Sequence, residues 1–164
     1  MEINIRKATL NDLKEINDIY NEAIRDTVST FDIEQKTIDQ QRLWFKNHSK
    51  KNPIIVAMKD KNILGFASLS KYSNKDAYSD TAELSLYIKK EYQDRGIGKK
   101  LLEEIINEGK KVGLHTVISR ITEGNEKSIH MHKSAGFVHI GVIKEAGNKF
   151  GKLLDVYLMQ KIFD

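Results

Sequence analysis

Residues 92–100 have the sequence Tyr92-Gln93-Asp94-Arg95-Gly96-Ile97-Gly98-Lys99-Lys100. They connect a predicted strand, residues 81–89, to a predicted amphipathic helix, residues 97–112, in which apolar side chains recur at helical spacing. Gly96 and Gly98 allow the backbone to approach a ligand closely. The start of the helix adds unpaired N–H groups and the positive end of the helix dipole. The segment therefore predicts an anion-binding turn that fits a pyrophosphate.

The same residues also fit a glycine-containing turn on a solvent-exposed basic surface. They do not form a P-loop, because a Gly-Lys-Ser/Thr ending at the required spacing is absent. They do not match a dinucleotide-binding fingerprint, which needs a third glycine where Leu101 stands. The choice between a ligand site and a plain turn therefore depends on the rest of the chain.

Hydrophobic patterns on both sides of the turn predict a mixed α/β fold. Strands are predicted at residues 2–8, 54–58, 63–70, 81–89, 115–121, 137–144 and 153–160. Helices are predicted at residues 13–24, 37–48, 97–112 and 125–135. The order is β-α-α-β-β-β-α-β-α-β-β, which predicts one mixed sheet with helices on both faces. Residues 1–164 are expected to form a single domain.

Composition limits the classes of function that fit the chain. The 164 residues are 40% hydrophobic and 30% charged and include no cysteine, which argues against disulfides and a cysteine nucleophile. The net charge of +4 is not gathered into a basic block with interleaved aromatics, so nucleic-acid binding is not expected. No apolar run approaches about 18 residues, and no His/Asp/Glu cluster has metal-ligand spacing. A cytoplasmic protein without a metal or a membrane span is therefore expected.

Three segments, in order along the chain, resemble the GNAT superfamily of N-acetyltransferases. The turn Gln93-x-x-Gly96-x-Gly98 resembles the acetyl-CoA signature of that family. The strand at residues 82–88 and the later Asn125-x-x-Ser128…His132-Lys133-Ser134-Ala135-Gly136-Phe137 have the family's order and spacing. The resemblance covers essentially the whole chain.

The resemblance is strongest to a phosphinothricin acetyltransferase-like subgroup. It rests on Ala77-Tyr78…Thr81-Ala82-Glu83, on His132, and on the tail Gly147-x-Lys149-Phe150-Gly151-x-x-x-Asp155. It implies a GNAT-like acetyltransferase fold, usually a homodimer, that transfers acetyl from acetyl-CoA directly to a small amino-acid-like amine. Phosphinothricin, methionine sulfoximine and methionine sulfone are acceptors of this type. Two alternatives remain open: acetylation of protein or peptide amines, and a regulatory module that binds acetyl-CoA without catalysis.

By this resemblance, a set of residues is expected to bind acetyl-CoA along the strand at residues 81–89, at the glycine turn with the start of its helix, and at the start of the helix at residues 125–135. These residues are Leu86, Tyr87, Ile88, Gln93, Asp94, Arg95, Gly96, Ile97, Gly98, Lys99, Asn125 and Ser128. Asn125 also fits the N-cap of a helix, and the two roles are compatible.

Two residues are expected to be catalytic. Strand alternation places Glu83 with Ser85 and Tyr87 on one face, opposite Ala82 and Leu84. From the pattern alone, Glu83 fits either a salt-bridged or solvent-facing carboxylate or a catalytic one, and the resemblance implies that Glu83 is the general base. His132 matches the subgroup's motif position, where it would protonate the departing thiolate or help deprotonate the amine. The alternative for His132 is a hydrogen-bonded helix histidine near Phe137.

Phe31, Lys75, Tyr78 and Ser85 are expected to contact the acceptor. Lys75 stands where the subgroup usually has an arginine, and lysine lacks the bidentate fork that grips an acidic group. Leu153 stands where the subgroup's tail has a tryptophan. Phe31 also fits a position in the core. The identity of the acceptor is therefore open at this stage.

Overall fold

Seven strands form one mixed sheet in the computed structural model, which describes residues 2–164. The strands are β1 (Asn4–Lys7), β2 (Ile54–Lys59), β3 (Asn62–Lys71), β4 (Thr81–Ile88), β5 (Thr116–Thr122), β6 (Val138–Lys149) and β7 (Lys152–Ile162). The helices are α1 (Leu13–Asp26), α2 (Ile38–Lys46), α3 (Ile97–Lys111) and α4 (Glu126–Ser134). The strand order is β1-β2-β3-β4-β5-β7-β6, and β4 with β5 is the parallel pair of an otherwise antiparallel sheet. The predicted fold is confirmed.

The two faces of the sheet carry separate hydrophobic clusters. On one face, Leu101 and Ile105 of α3 are completely buried against a cluster that includes Ala82 and Leu84 of β4. On the other face, Ile16 of α1 packs into a second cluster with apolar side chains of β2 and β3. Side chains alternate across each strand, so β4 contributes to both faces. This alternation places the even-numbered side chains of β4 on one side of the sheet and the odd-numbered side chains on the other.

The start of α2 is closed by a capping box. Thr37 accepts a hydrogen bond from the Gln40 N–H at 3.2 Å, and the Gln40 side chain accepts one from the Thr37 N–H at 2.9 Å. Two N–H groups that would otherwise lack partners are thereby satisfied. The helix lies over β3, where Trp44 packs edge-on against Phe66 with 6.0 Å between ring centres. The capping box thus fixes the helix that carries Trp44.

The predicted limits of the closing hairpin are wrong. Strands were expected at residues 137–144 and 153–160, whereas β6 extends to Lys149 and β7 spans residues 152–162. The turn between them contains only Phe150 and Gly151, both with positive φ, as in the tight turns that suit hairpins. Register shifts near His139 and between residues 143 and 147 interrupt the side-chain alternation. Because of these bulges, the sequence of the hairpin does not show the alternation of side chains by which a strand is recognised.

In residues 2–164, no helix is both long enough and apolar enough to cross a membrane.

Candidate active site

The parallel strands β4 and β5 pair only at their beginnings. Thr81–Glu83 pair with Thr116–Ile118, but β4 continues to Ile88 and β5 to Thr122. The two strands therefore diverge after Glu83 and leave a wedge-shaped gap in the sheet, which we call the fork. A fork between paired strands exposes backbone polar groups that a continuous sheet would satisfy.

The backbone of β4 presents N–H groups to the fork. The N–H of Lys89 donates to Leu64 of β3 at 2.9 Å, so odd-numbered residues of this segment bond to β3. Even-numbered residues, including Leu86 and Ile88, therefore direct their N–H and C=O groups toward the fork. The Gln93 side chain donates to the Ile88 carbonyl at 3.2 Å. The edge of β4 that borders the fork therefore carries N–H donors that point into the gap between the two strands.

The N-terminus of α3 lies beside this strand edge. Gly96 precedes the helix with φ of 80°, a conformation that glycine adopts without steric cost, and the first turn of α3 contains no acidic residue. A Cβ at Gly98 would lie 3.9 Å from the Leu86 side chain and 3.2 Å from Met131 Sδ of α4. The positive end of the helix dipole is therefore not neutralised by a first-turn carboxylate. This helix end lies between the edge of β4 that borders the fork and α4.

Side chains of the turn make contacts on its outer surface. Asp94 forms an ion pair with Lys127 of α4 at 2.6 Å, and Arg95 lies over the Tyr92 ring at 5.4 Å. Lys99 is exposed. Gly98, rather than these charged side chains, lies next to the strand edge.

The first turn of α4 completes the surroundings of the fork. Asn125 accepts a hydrogen bond from the Ser128 N–H at 3.3 Å and is the N-cap of the helix, in agreement with the structural role that its position predicts. This bond uses the amide oxygen of Asn125, so its NH₂ group keeps its donors. Asn125 follows β5 after Glu123 and Gly124, so it continues from the strand that forms the wall of the fork opposite β4.

His132 is buried beside the core rather than exposed. Its Nδ1 lies 2.7 Å from the Ser128 carbonyl, which can only accept, so Nδ1 carries the proton. Within residues 2–164, Nε2 has no hydrogen-bond partner. The ring packs edge-on against Phe137 at 5.0 Å, and burial lowers the pKa of His132. The imidazole is therefore neutral at pH 7, with a free lone pair that can accept a proton.

Glu83 stands at the point where the fork opens. It forms the last register pair between β4 and β5, with Ile118 as its partner. Its half-buried carboxylate lies 3.2 Å from Nε of Arg120, which follows two residues after Ile118. The salt-bridged and catalytic interpretations of Glu83 are thus compatible. Sequence analysis missed Arg120, because contact between residues 83 and 120 depends on the parallel register of two strands far apart in the chain.

A cavity of about 440 Å³ opens on the same face of β4 as Glu83. It is bounded by α1, the α1–α2 segment, α2, β3 and β4. The lining residues are Tyr20, Asp32, Lys36, Gln40, Gln41, Leu43, Trp44, Asn47, Phe66, Ser85 and Tyr87. Its volume and its mixture of aromatic walls with a few polar groups are typical of a small-molecule site.

The cavity has an aromatic wall and one paired charge. The ring of Tyr87 packs 5.1 Å from Tyr20 and 5.6 Å from Phe66. Tyr20 donates a short hydrogen bond to Asp32, and Lys36 lies 3.6 Å from the same carboxylate. Burial raises the pKa of Tyr20 well above its usual value and that of Tyr87 to about 12. Both phenols are therefore protonated at pH 7, and the single O–H of Tyr20 is already donated to Asp32.

Comparison with known proteins identifies the family. Residues 15–137 match the model described as the acetyltransferase (GNAT) family. The chain belongs to the GNAT family. It is 33% identical over 159 residues to a phosphinothricin N-acetyltransferase from Streptomyces coelicolor, covering 94% of this chain and 93% of the relative. The predicted family is confirmed, and with it the enzyme class, an acetyltransferase.

Solved structures of other GNAT proteins share the fold over nearly their whole length. A ribosomal-protein-alanine N-acetyltransferase from Brucella melitensis superposes with a TM-score of 0.94 at 34% identity, covering 98% of this chain and 99% of that one. A phosphinothricin acetyltransferase from Sinorhizobium meliloti, solved in complex with acetyl-CoA, has a TM-score of 0.95 at 30% identity. The coverage is 99% of this chain and 89% of that one.

The acceptor residues predicted from sequence lie in different places in this GNAT chain. Of the four, only Ser85 lines the cavity. Lys75 and Tyr78 are exposed on the β3–β4 connection, where Tyr78 packs 5.2 Å from Tyr72. Phe31 is half buried against Gly147 of β6. Residues missed by sequence analysis, Tyr20 and Trp44 among them, come from helices whose positions over the sheet no local pattern specifies.

Two contacts hold the loop that carries Asp32 against the β6–β7 hairpin. The amine of Lys149, only 3% exposed, donates to the Thr30 carbonyl at 2.8 Å, and burial lowers its pKa. The Phe31 ring rests on Gly147, where a Cβ would come within 2.8 Å of Cζ. A buried amine is costly unless it is hydrogen-bonded, so this bond resists breakage. The shape of the cavity therefore depends on the hairpin.

Gly147→Ala is expected to lower the free energy of unfolding by about 1–3 kcal/mol, because the added methyl group must displace Phe31. The KM for the acceptor should rise, since Phe31 and Asp32 are adjacent. Urea denaturation and steady-state kinetics measure the two effects. The matched control is Gly141→Ala, on the same strand, where a Cβ would meet nothing within 4 Å. Equal stability of the two variants would contradict the packing of Phe31 on Gly147.

Proposed function

We propose that this GNAT chain transfers an acetyl group from acetyl-CoA directly to the amine of a small amino-acid-like acceptor. The observation that carries the proposal is the fork, which opens at Glu83 and has the N-terminus of α3 on one side and a cavity on the face of β4. A donor and an acceptor can approach each other there from two directions. Holding two reactants in one place supplies much of the acceleration in such a reaction.

The residues around the fork fit acetyl-CoA. The diphosphate would be bound by N–H groups at the start of α3, with the turn 93–99 and Gly98 allowing close approach. Leu86 and Ile88 would supply N–H groups along the strand edge, while Asn125 has an NH₂ group left over from its capping bond. The thioester supplies the acetyl group, and its thiol, with a pKa of about 8.5, is a tolerable leaving group.

The chain's own residues would carry the proton transfers and the charge. Glu83 would take a proton from the acceptor ammonium, directly or through a water, so that a neutral amine attacks. The N–H groups of Leu86 and Ile88 would stabilise the oxyanion that forms on the carbonyl. The free Nε2 of His132 suits proton acceptance. Donation to the thiolate would need this imidazole to be protonated first.

A thiol-release assay with a panel of acceptors tests the proposal. The panel contains phosphinothricin, methionine sulfoximine, methionine sulfone, free amino acids and a peptide with a free amine, with a reaction lacking acceptor as the control. We expect acceptor-dependent release with at least one small amino-acid-like molecule and little with the peptide. Release with the peptide alone would favour a protein acetyltransferase. Binding of acetyl-CoA without release for any amine would favour a non-catalytic module.

The proposal also includes a single domain over residues 1–164, a cytoplasmic location and a homodimer. Support for a homodimer comes from large apolar side chains exposed on the last hairpin. They are Val138, Ile140, Ile143, Phe150, Leu153 and Ile162. An apolar area of this kind suits an interface between protein chains. Light scattering coupled to size-exclusion chromatography distinguishes a dimer from a monomer.

A further inference from the structure

We propose that Arg120 recognises the acceptor by binding its carboxylate, so that the substrates are α-amino acids acetylated on the amine next to that carboxylate. The inference rests on the proposed function, since it assigns a role within the same site. It concerns a residue of β5 that faces the fork opposite Glu83. Neither the glycine turn nor the residues predicted for the acceptor include it.

The strand register places Arg120 beside the proposed base, on the face of the sheet where the cavity opens. Glu83 pairs with Ile118 in the parallel ladder, and paired residues direct their side chains to the same face of a sheet. Arg120 is two residues further along β5 and so shares that face. Ser85 is two residues further along β4, on the other wall of the fork, and lines the cavity. Arg120 therefore lies beside Glu83 on the face of the sheet where the cavity opens, although neither residue is part of the cavity lining.

Most of the donors of Arg120 are available to a ligand. Its Nε contacts Glu83 at 3.2 Å, and its side chain is 55% exposed. In the part of the chain that the structure describes, its two terminal nitrogens have no other hydrogen-bond or ion-pair partner. The planar guanidinium group matches a carboxylate in geometry and can bind it through two parallel hydrogen bonds.

The chemistry of an α-amino acid fits this arrangement. Amine and carboxylate are attached to the same carbon, so a carboxylate held by Arg120 brings the amine next to Glu83. The side chain of the acceptor would then enter the aromatic cavity. The cation already inside it, Lys36, is paired with Asp32, and Lys75 is exposed on a loop outside it. Arg120 is the cationic group that directly contacts the proposed base.

The test compares one amino acid from the acceptor panel with its primary amide, which keeps the amine and side chain but lacks the carboxylate. Wild-type protein should prefer the acid. For Arg120→Gln we expect the KM for the acid to rise about 10- to 100-fold, the effect of losing one or two charge-assisted hydrogen bonds. The KM for acetyl-CoA and the kinetics with the amide should change little, so the preference disappears. Arg120→Lys should restore part of it.

Arg42→Gln is the control, since Arg42 is an exposed arginine of α2 paired with Asp39. It should leave the preference for the acid intact. If Arg120→Gln also keeps that preference, or if acid and amide lose activity equally through kcat, the inference is overturned while the proposed function stands. If wild-type protein releases thiol with neither molecule nor any other amine, the proposed function fails and the inference with it.

Discussion

Replacing Glu83 with Gln is expected to lower kcat by about 10²- to 10⁴-fold, the usual effect of removing a general base. Glutamine has nearly the same shape but cannot take the proton of the acceptor ammonium. The affinity for acetyl-CoA should stay nearly the same, because the turn and the strand edge that would bind it are unchanged. Steady-state thiol release gives kcat, and calorimetric titration gives the affinity.

The ion pair with Arg120 requires a matched control, since Glu83→Gln also removes the charge that Arg120 contacts. Arg120→Gln breaks the same pair but keeps the carboxylate of Glu83. It should preserve kcat with the amide acceptor, whereas Glu83→Gln should lose kcat with both acceptors. A Glu83→Gln protein as active as its parent would remove Glu83 as the base. Equal losses of kcat in the two variants would assign the effect to the ion pair.

Replacing Gly98 with Trp is expected to weaken acetyl-CoA binding by about 100-fold or more, which corresponds to losing two hydrogen bonds to a charged group. A side chain at this position would project between Leu86 of β4 and Met131 of α4, the space between the helix N-terminus and the strand edge. Calorimetric titration with acetyl-CoA measures the loss.

A Gly98→Ala variant distinguishes the effect of side-chain size on acetyl-CoA binding from the effect of losing the glycine. Its methyl group would meet Met131 Sδ at 3.2 Å, at the end of a flexible side chain that can move. It should keep most of the affinity. The tryptophan is expected to cost about 1–3 kcal/mol of stability through overpacking, so unfolding curves must accompany the titration. A folded Gly98→Trp protein with parental affinity would contradict the assignment of residues 93–99 to the diphosphate.

Local patterns predicted the elements well where side-chain periodicity is regular. The strand at residues 81–89 and the helix at residues 97–112 were predicted within one residue of β4 and α3. The alternation that separates Glu83 and Ser85 from Ala82 holds in the structure. The closing hairpin was predicted too short, because bulges in β6 break its period of two. The limits of a regular strand or helix depend on residues that are neighbours in the chain. The limits of a bulged strand depend on its pairing with the partner strand.

The sequence by itself determined the family, the order of the elements and the glycine turn at the start of α3, since these depend on residues close together in the chain. The tertiary structure decided where β4 and β5 separate, which arginine meets Glu83, and which side chains enclose the cavity. Those features join residues as far apart as Tyr20 and Tyr87, or Glu83 and Arg120. Strand register and helix placement bring such pairs together, and both are set by the packing of the whole core.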